Sequence, residues 1–276
     1  MNRYKVGEMS PLYGRMLVCD MDGTLLNSSR QVSEENKAAI NSFVEMGGLF
    51  TVATGRSQES VRRFLEHLPV NTPVIASNGA LVYDYSTEKV LWNSYLDDSA
   101  RYIVEEILEL FPGIAVEVFH DKYTYFIAEN EETKRHLERE HFCPIRLPLE
   151  EVPYPWTKAI FVWDNKNLQS VKRYLDSRGG NFRFVFSEPE FVELLDVNAT
   201  KGHALRELVR HIGVNISEVV AMGDNLNDIE LIECAGVGIA VSNAHDELKC
   251  IAKHCCCHHD EHAVREVIDW MKKGII

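Results

Sequence analysis

The chain of 276 residues is 45% apolar and 26% charged, with a net charge of −13. That balance fits a globular protein of one large or two modest domains. The acidity argues against a nucleic-acid partner, which requires a basic stripe, and no run of about eighteen apolar residues is present to span a membrane. Seven cysteines, with no export signal in the opening MNRYKVGEMSPLYGR, point to a reducing, cytoplasmic setting. Small anionic substrates stay open, because a few placed cations or a metal reverse the local field.

From Met16, MLVCD reads as a strand. SEENKAAINSFVEMG reads as a helix with Ser33 as N-cap, Asn36 at its third position and Gly47 near its end. LFTVATG, from Leu49, reads as a strand, SQESVRRFLEHL as a helix and PVIAS as a strand. Near-continuous apolar strands alternating with helices predict a parallel sheet covered on both faces. ALVYDYSTEKVLWNSYL then reads as two strands around a turn at Ser86 to Lys89. Between residues 97 and 189 the order becomes helix, two adjacent strands (IAVEVFH and KYTYFIAE), helix, strand (KAIFVWD), helix, strand (FRFVFS). The proline-rich CPIRLPLEEVPYP divides that stretch internally. Adjacent strands between helices predict an α+β module with an antiparallel sheet. After FVELLDVNATKG the alternation resumes, with HALRELVRHIG helical, VVAMGD a strand, NDIELIECAG helical, VGIAV a strand and a last helix near 262–273. One α/β domain, residues 1–96 with 190–276, is thus interrupted by a second module, residues 97–189.

Four short segments fall at predicted strand ends: DMDGT (20–24), TGR (54–56), NATKG (198–202) and GDNLND (223–228). In open parallel sheets ligands bind beyond the carboxyl ends of the strands. Asp20, Asp22, Asp224 and Asp228 then form a carboxylate cluster that needs a cation, and all-oxygen ligands favour Mg2+. Lys201 adds a fixed positive charge and Thr54 a hydroxyl, while Gly23 and Gly55 let backbone approach a ligand closely. Carboxylates, magnesium, a lysine and a hydroxyl suit phosphoryl transfer. Two aspartates at a spacing of two can divide that work as nucleophile and general acid–base.

DMDGTLL, TGR, TKG and GDNLND, in that order, together with SNGALVYD and IECAGVGIAVSNA, resemble the haloacid dehalogenase superfamily of phosphohydrolases, in its Cof-like branch. The resemblance covers residues 16 to 270 and implies a Rossmann-like core, with 97–189 as an inserted cap domain that contributes substrate contacts. It also implies roles. Asp20 attacks phosphorus and becomes an aspartyl phosphate, and Asp22 protonates the leaving alcohol and then activates water. Magnesium binds the Asp20 carboxylate, the Asp22 carbonyl and Asp224, with Asp228 as support or through a metal-bound water. Thr54, Gly55, Arg56, Lys201 and Asn227 contact the phosphoryl group. The expected protein is a monomeric or small homo-oligomeric phosphatase of a small phosphorylated metabolite. A phosphomutase and a non-catalytic sugar-phosphate sensor are the alternatives.

Several residues carry a plainer reading beside the functional one. Arg56 can pair with a helix carboxylate, Asn225 can shape its turn, and Asn78 and Gly79 can face substrate or build theirs. Tyr123, Tyr125 and Trp163 alternate as core strand residues do. Lys201 at a helix start opposes the helix dipole, which is uncommon as mere structure. HCCCHHDEH (254–262) carries metal-ligating residue types. Consecutive cysteines on a strand alternate in direction, however, so this segment reads as a strand with buried thiols followed by a polar loop. His262 stands where the family more often has glycine.

Overall fold

The computed structural model describes residues 12–140, 143–178 and 180–276. The chain runs through β1 (Met16–Cys19), α1 (Glu34–Glu45), β2 (Leu49–Val52), α2 (Gln58–Leu65), β3 (Val74–Ala76), β4 (Leu81–Asp84) and β5 (Lys89–Asn93). It continues with α3 (Ala100–Leu110), β6 (Ala115–His120), β7 (Tyr123–Ala128), α4 (Glu131–Glu140), β8 (Ile145–Arg146), β9 (Lys158–Val162), α5 (Asn165–Arg178), β10 (Phe182–Glu188) and β11 (Phe191–Asp196). It closes with α6 (Lys201–Ile212), β12 (Val219–Gly223), α7 (Ile229–Cys234), β13 (Val237–Val241), α8 (Asp246–Ile251), β14 (His254–Cys256) and α9 (Ala263–Lys272). β8 and α8 are too short to show in the apolar pattern. Among the described residues, no helix is long and apolar enough to cross a membrane.

The described residues up to Ala53, with Leu65–Val74 and Val209–Ile276, form one compact unit. Its sheet has the order β14-β13-β12-β1-β2 and is parallel throughout. β1 lies inside that sheet, with Cys19 level with Met222 on one side and Val52 on the other. All four residues of β1 are buried, as a strand covered on both faces must be. On α1 the Ser33 hydroxyl accepts the Asn36 N–H at 3.3 Å, as the N-cap pattern predicts. Gly47 ends the helix at φ +88°, a conformation glycine adopts without strain. The side chain of Asn36 is itself buried and accepts the backbone N–H of Arg265 in α9 at 3.0 Å.

Thr54–Phe64 and Ile75–Leu208 form the second unit. β3 joins β4 and β5 in a three-stranded sheet rather than the parallel sheet that the strand–helix alternation predicts. The chain passes from β3 to β4 through the short turn Ser77–Gly79, with no helix to carry it across a parallel sheet. The larger sheet has the order β10-β11-β9-β6-β7-β8 and is antiparallel apart from the β7–β8 pair. It therefore extends to Asp196, past residue 189. One face packs Val116, Val118, Phe161, Val192 and Leu194 against Ile103 and Ile107 of α3 and Leu168 and Val171 of α5. The other carries a small apolar cluster of Ala115, Phe119, Ile160, Val162 and Phe191. Strand alternation places Glu117, Lys158 and Glu193 on that second face as well.

Candidate active site

In the first unit, Asp20 directly follows β1 and Asp224 directly follows β12. These strands are parallel neighbours in register, so both aspartates leave the sheet at its carboxyl edge. One ligand oxygen from each of Asp20, Asp224 and Asp228 lies within 4.8 Å of the others. Asp20 is only 5% exposed and Asp228 not at all. Like charges at that spacing repel by about 3 kcal/mol per pair at an effective dielectric of about 20. The donor set is oxygen alone and fits a hard divalent cation.

Local sequence builds the cluster. Asp228 Oδ2 accepts the backbone N–H groups of Asp224 (3.0 Å) and Asn225 (3.2 Å). Asn225 Oδ1 accepts the Leu226 N–H at 2.8 Å, so this residue shapes the turn, as its plainer reading has it. Thr24 Oγ1 donates to Asp224 Oδ1 at 3.2 Å. Gly23 sits at φ +87°, and a Cβ there would stand 2.4 Å from Asp224 Oδ2, so only glycine leaves that carboxylate its place. Asp22 is exposed, and its side chain stands outside the group of three. Asn227 is half-buried in the short turn Leu226–Asp228.

The second unit holds the remaining motif residues. Thr54 is buried, its N–H donates to Ile75 O and its carbonyl accepts the Asn78 N–H, both at 2.9 Å. Arg56, just ahead of α2, donates to Ser60 Oγ (3.2 Å) and lies over the Phe64 ring, 4.9 Å from its centroid, so it meets that helix through a hydroxyl and a ring. Lys201 begins α6 and is fully buried. Gly79, at φ +90°, would place a Cβ 2.2 Å from the carbonyl oxygen of Thr200. Asn78 and Gly79 therefore build their turn against the residue that precedes Lys201.

Two residues missing from the motif reading tie this region together. Lys158 Nζ donates to the Gly55 carbonyl at 3.0 Å and pairs with Glu193 Oε1 at 2.9 Å, both side chains being buried. Glu193 Oε2 accepts from Asn78 Nδ2 at 2.8 Å. The signal was available: each is a lone charge inside an apolar strand, KAIFV and FVELL, where an unpaired charge would be very costly.

Of the aromatics read as core, Tyr125 is buried and Trp163 packs against the larger core, but Tyr123 is 46% exposed at the start of its strand. Among the consecutive cysteines only Cys256 is buried; Cys255 is exposed and Cys257 half-buried, because strand alternation turns one thiol of each pair outward. His262 is at φ +66°, in the left-handed region, which explains why glycine is usual there.

Residues 17–268 match the family model of the haloacid dehalogenase-like hydrolases. The chain belongs to that family. This haloacid dehalogenase-like hydrolase is 31% identical to YxeH of Bacillus subtilis (strain 168), over 92% of its own length and 97% of YxeH. It is 28% identical to the 5-amino-6-(5-phospho-D-ribitylamino)uracil phosphatase YwtE of the same organism, covering 94% and 99% of the two chains. It also superposes on the crystal structure of TM0651 from Thermotoga maritima with a TM-score of 0.81 and 28% identity, covering 93% and 97%.

Proposed function

We propose that this chain hydrolyses a small phosphorylated metabolite, a sugar phosphate or similar monoester, through an aspartyl phosphate on Asp20 with Mg2+ as cofactor. The chain is a phosphoric monoester hydrolase: its full-length relatives include named phosphatases. The observation that carries the finer reading is the convergence of Asp20, Asp224 and Asp228 at the carboxyl edge of β1 and β12. These residues, with the Asp22 carbonyl, would hold the magnesium ion. Bound there, the ion supplies positive charge against the phosphoryl oxygens.

In this reading the Asp20 carboxylate attacks phosphorus and the bond to the leaving oxygen breaks. Asp22, exposed and outside the acidic cluster, gives that oxygen a proton. It then takes one from the water that cleaves the aspartyl phosphate. Thr54, Gly55, Arg56, Lys201 and Asn227 are assigned to the phosphoryl group, and residues 97–189 to a cap that selects the substrate. The enzyme is assigned to the cytoplasm as a monomer or small homo-oligomer, with no nucleic-acid or membrane partner.

The test is phosphate release from a panel of phosphorylated metabolites. Magnesium should support turnover, EDTA should abolish it, and magnesium should restore it better than calcium, whose larger and looser shell fits the oxygens less well. Full activity after exhaustive chelation would overturn the metal assignment. Phosphoryl migration without phosphate release would mark a mutase, and tight binding without turnover a sensor.

A further inference from the structure

The segment 254–262 takes no part in the chemistry above, yet it assembles a second set of metal-ligand atoms, from His258, His259 and Asp260. Asp260 Oδ2 lies 3.5 Å from His258 Nδ1 and 3.8 Å from His259 Nε2. Bonds of roughly 2.0–2.1 Å to a tetrahedral ion place ligand atoms roughly 3.4 Å apart, so these two edges are already close to what such an ion needs. The third edge is within 4.8 Å.

Two of the three ligands are held by the loop that follows β1. His259 Nδ1 is 2.7 Å from the Leu26 carbonyl, which only accepts, so Nδ1 carries a proton and Nε2 is the ring nitrogen left on the Asp260 side to ligate. Asp260 accepts from the Ser28 N–H (2.7 Å) and the Ser28 hydroxyl (2.6 Å), and these bonds hold its carboxyl below the usual range. His258 Nδ1 accepts the Asp260 N–H at 3.2 Å, so its lone pair already faces the loop, and an ion would replace that long bond. The neighbouring Cys257 is committed elsewhere, its thiol donating to the Glu261 carbonyl at 3.3 Å.

We propose that His258, His259 and Asp260 form a surface site for a borderline transition-metal ion such as zinc, cobalt or nickel, with water completing the shell. Two imidazoles and one carboxylate favour such ions over magnesium. The site is tied to the loop that follows β1. His259 and Asp260 hold Leu26 and Ser28, and Asn243 donates to the Gly23 carbonyl (2.8 Å) while accepting the His259 N–H (3.0 Å). An ion there fastens the end of the DMDGTLLNS segment to the loop after β14, so its occupancy is expected to tune turnover rather than carry it out.

The experiment is a titration of zinc, by calorimetry, into metal-stripped protein held in saturating magnesium, with cobalt as the spectroscopic probe. One equivalent of zinc should bind to the wild-type chain. The affinity should fall at least about tenfold in His259→Gln and in Asp260→Asn and stay unchanged in Asp224→Asn. Cobalt should shift the ring-proton resonances of two histidines in the wild-type chain, a readout that does not depend on any variant folding. No binding under magnesium overturns the site, as does binding lost in Asp224→Asn but kept in His259→Gln, or cobalt shifts confined to other histidines.

Discussion

At the ends of β1 and β12 three carboxylates converge, whereas on the second face of the larger sheet one lysine meets one glutamate. Both places take charge out of water, which is costly. The Lys158–Glu193 pair answers that cost internally: the charges are opposite, and Gly55 and Asn78 supply further hydrogen bonds. The aspartate cluster gathers like charges instead and is arranged for a cation that the chain does not encode. A site meant to bind keeps part of its stabilisation outside the polypeptide; a strut meant only to hold its neighbours carries its own partner. Substitutions should therefore separate the two regions, in activity first and in the sign of their effect on stability second.

The largest effect is expected from Asp20→Asn. If Asp20 is the nucleophile, steady-state turnover should fall on the order of a millionfold, as when other covalent nucleophiles are removed, while thermal melting still shows a folded protein. Retention of even a hundredth of the activity would remove Asp20 from that role. Glu193→Ala comes next, on stability. It leaves Lys158 buried without its carboxylate and Asn78 Nδ2 without that acceptor, and should cost about 3–5 kcal/mol in urea unfolding. Changing both partners, Lys158→Met with Glu193→Leu, should recover most of it, since a buried pair is often replaceable by apolar groups. A single variant as stable as wild type would show that the pair holds nothing.

Asp224→Asn should act with the opposite sign. Without metal it removes like-charge repulsion and should raise stability by about 1–3 kcal/mol; in saturating magnesium the order should reverse, because the wild-type cluster gains more from the ion. Differential scanning calorimetry with and without magnesium reads both halves, and a variant less stable than wild type in EDTA would break the comparison. The smallest change is His262→Gly. It relieves a left-handed residue at roughly 1–2 kcal/mol but gives up the 3.0 Å contact with Ser33 Oγ. A net gain of about 1 kcal/mol or less is expected in urea melts, and a clear loss would mean that the Ser33 contact outweighs the backbone strain.

What was legible in the sequence followed local rules. The apolar runs of β1, β12 and β13 and the cap at Ser33 are written in adjacent residues, and DMDGT and GDNLND meet because the strands that they follow, β1 and β12, are parallel neighbours. The placement of β3 was not, because three apolar residues look the same in either sheet and the short turn after them decides the matter. Lys158 and Glu193 escaped because their meaning lies in pairing across two antiparallel strands that sequence periodicity does not align: Ile160, not Lys158, is level with Glu193. The histidine–aspartate group is hidden in the sequence by the cysteines beside it. Its geometry rests on Leu26 and Ser28, more than two hundred positions earlier in the chain.

The position of β1 inside the parallel sheet bears on how the chain is made. Cys19 and Met222 face each other across β1 and β12 but are 203 residues apart. At roughly 5–20 residues per second, a ribosome needs roughly 10–40 s to cover that distance. All of the second unit emerges in the interval, while β1 waits with one backbone edge unpaired and its apolar side chains uncovered. The nascent chain thus spends most of its synthesis with its earliest strand half-paired. Translation that stalls before Val219 completes the second unit but leaves β1 without its β12 partner.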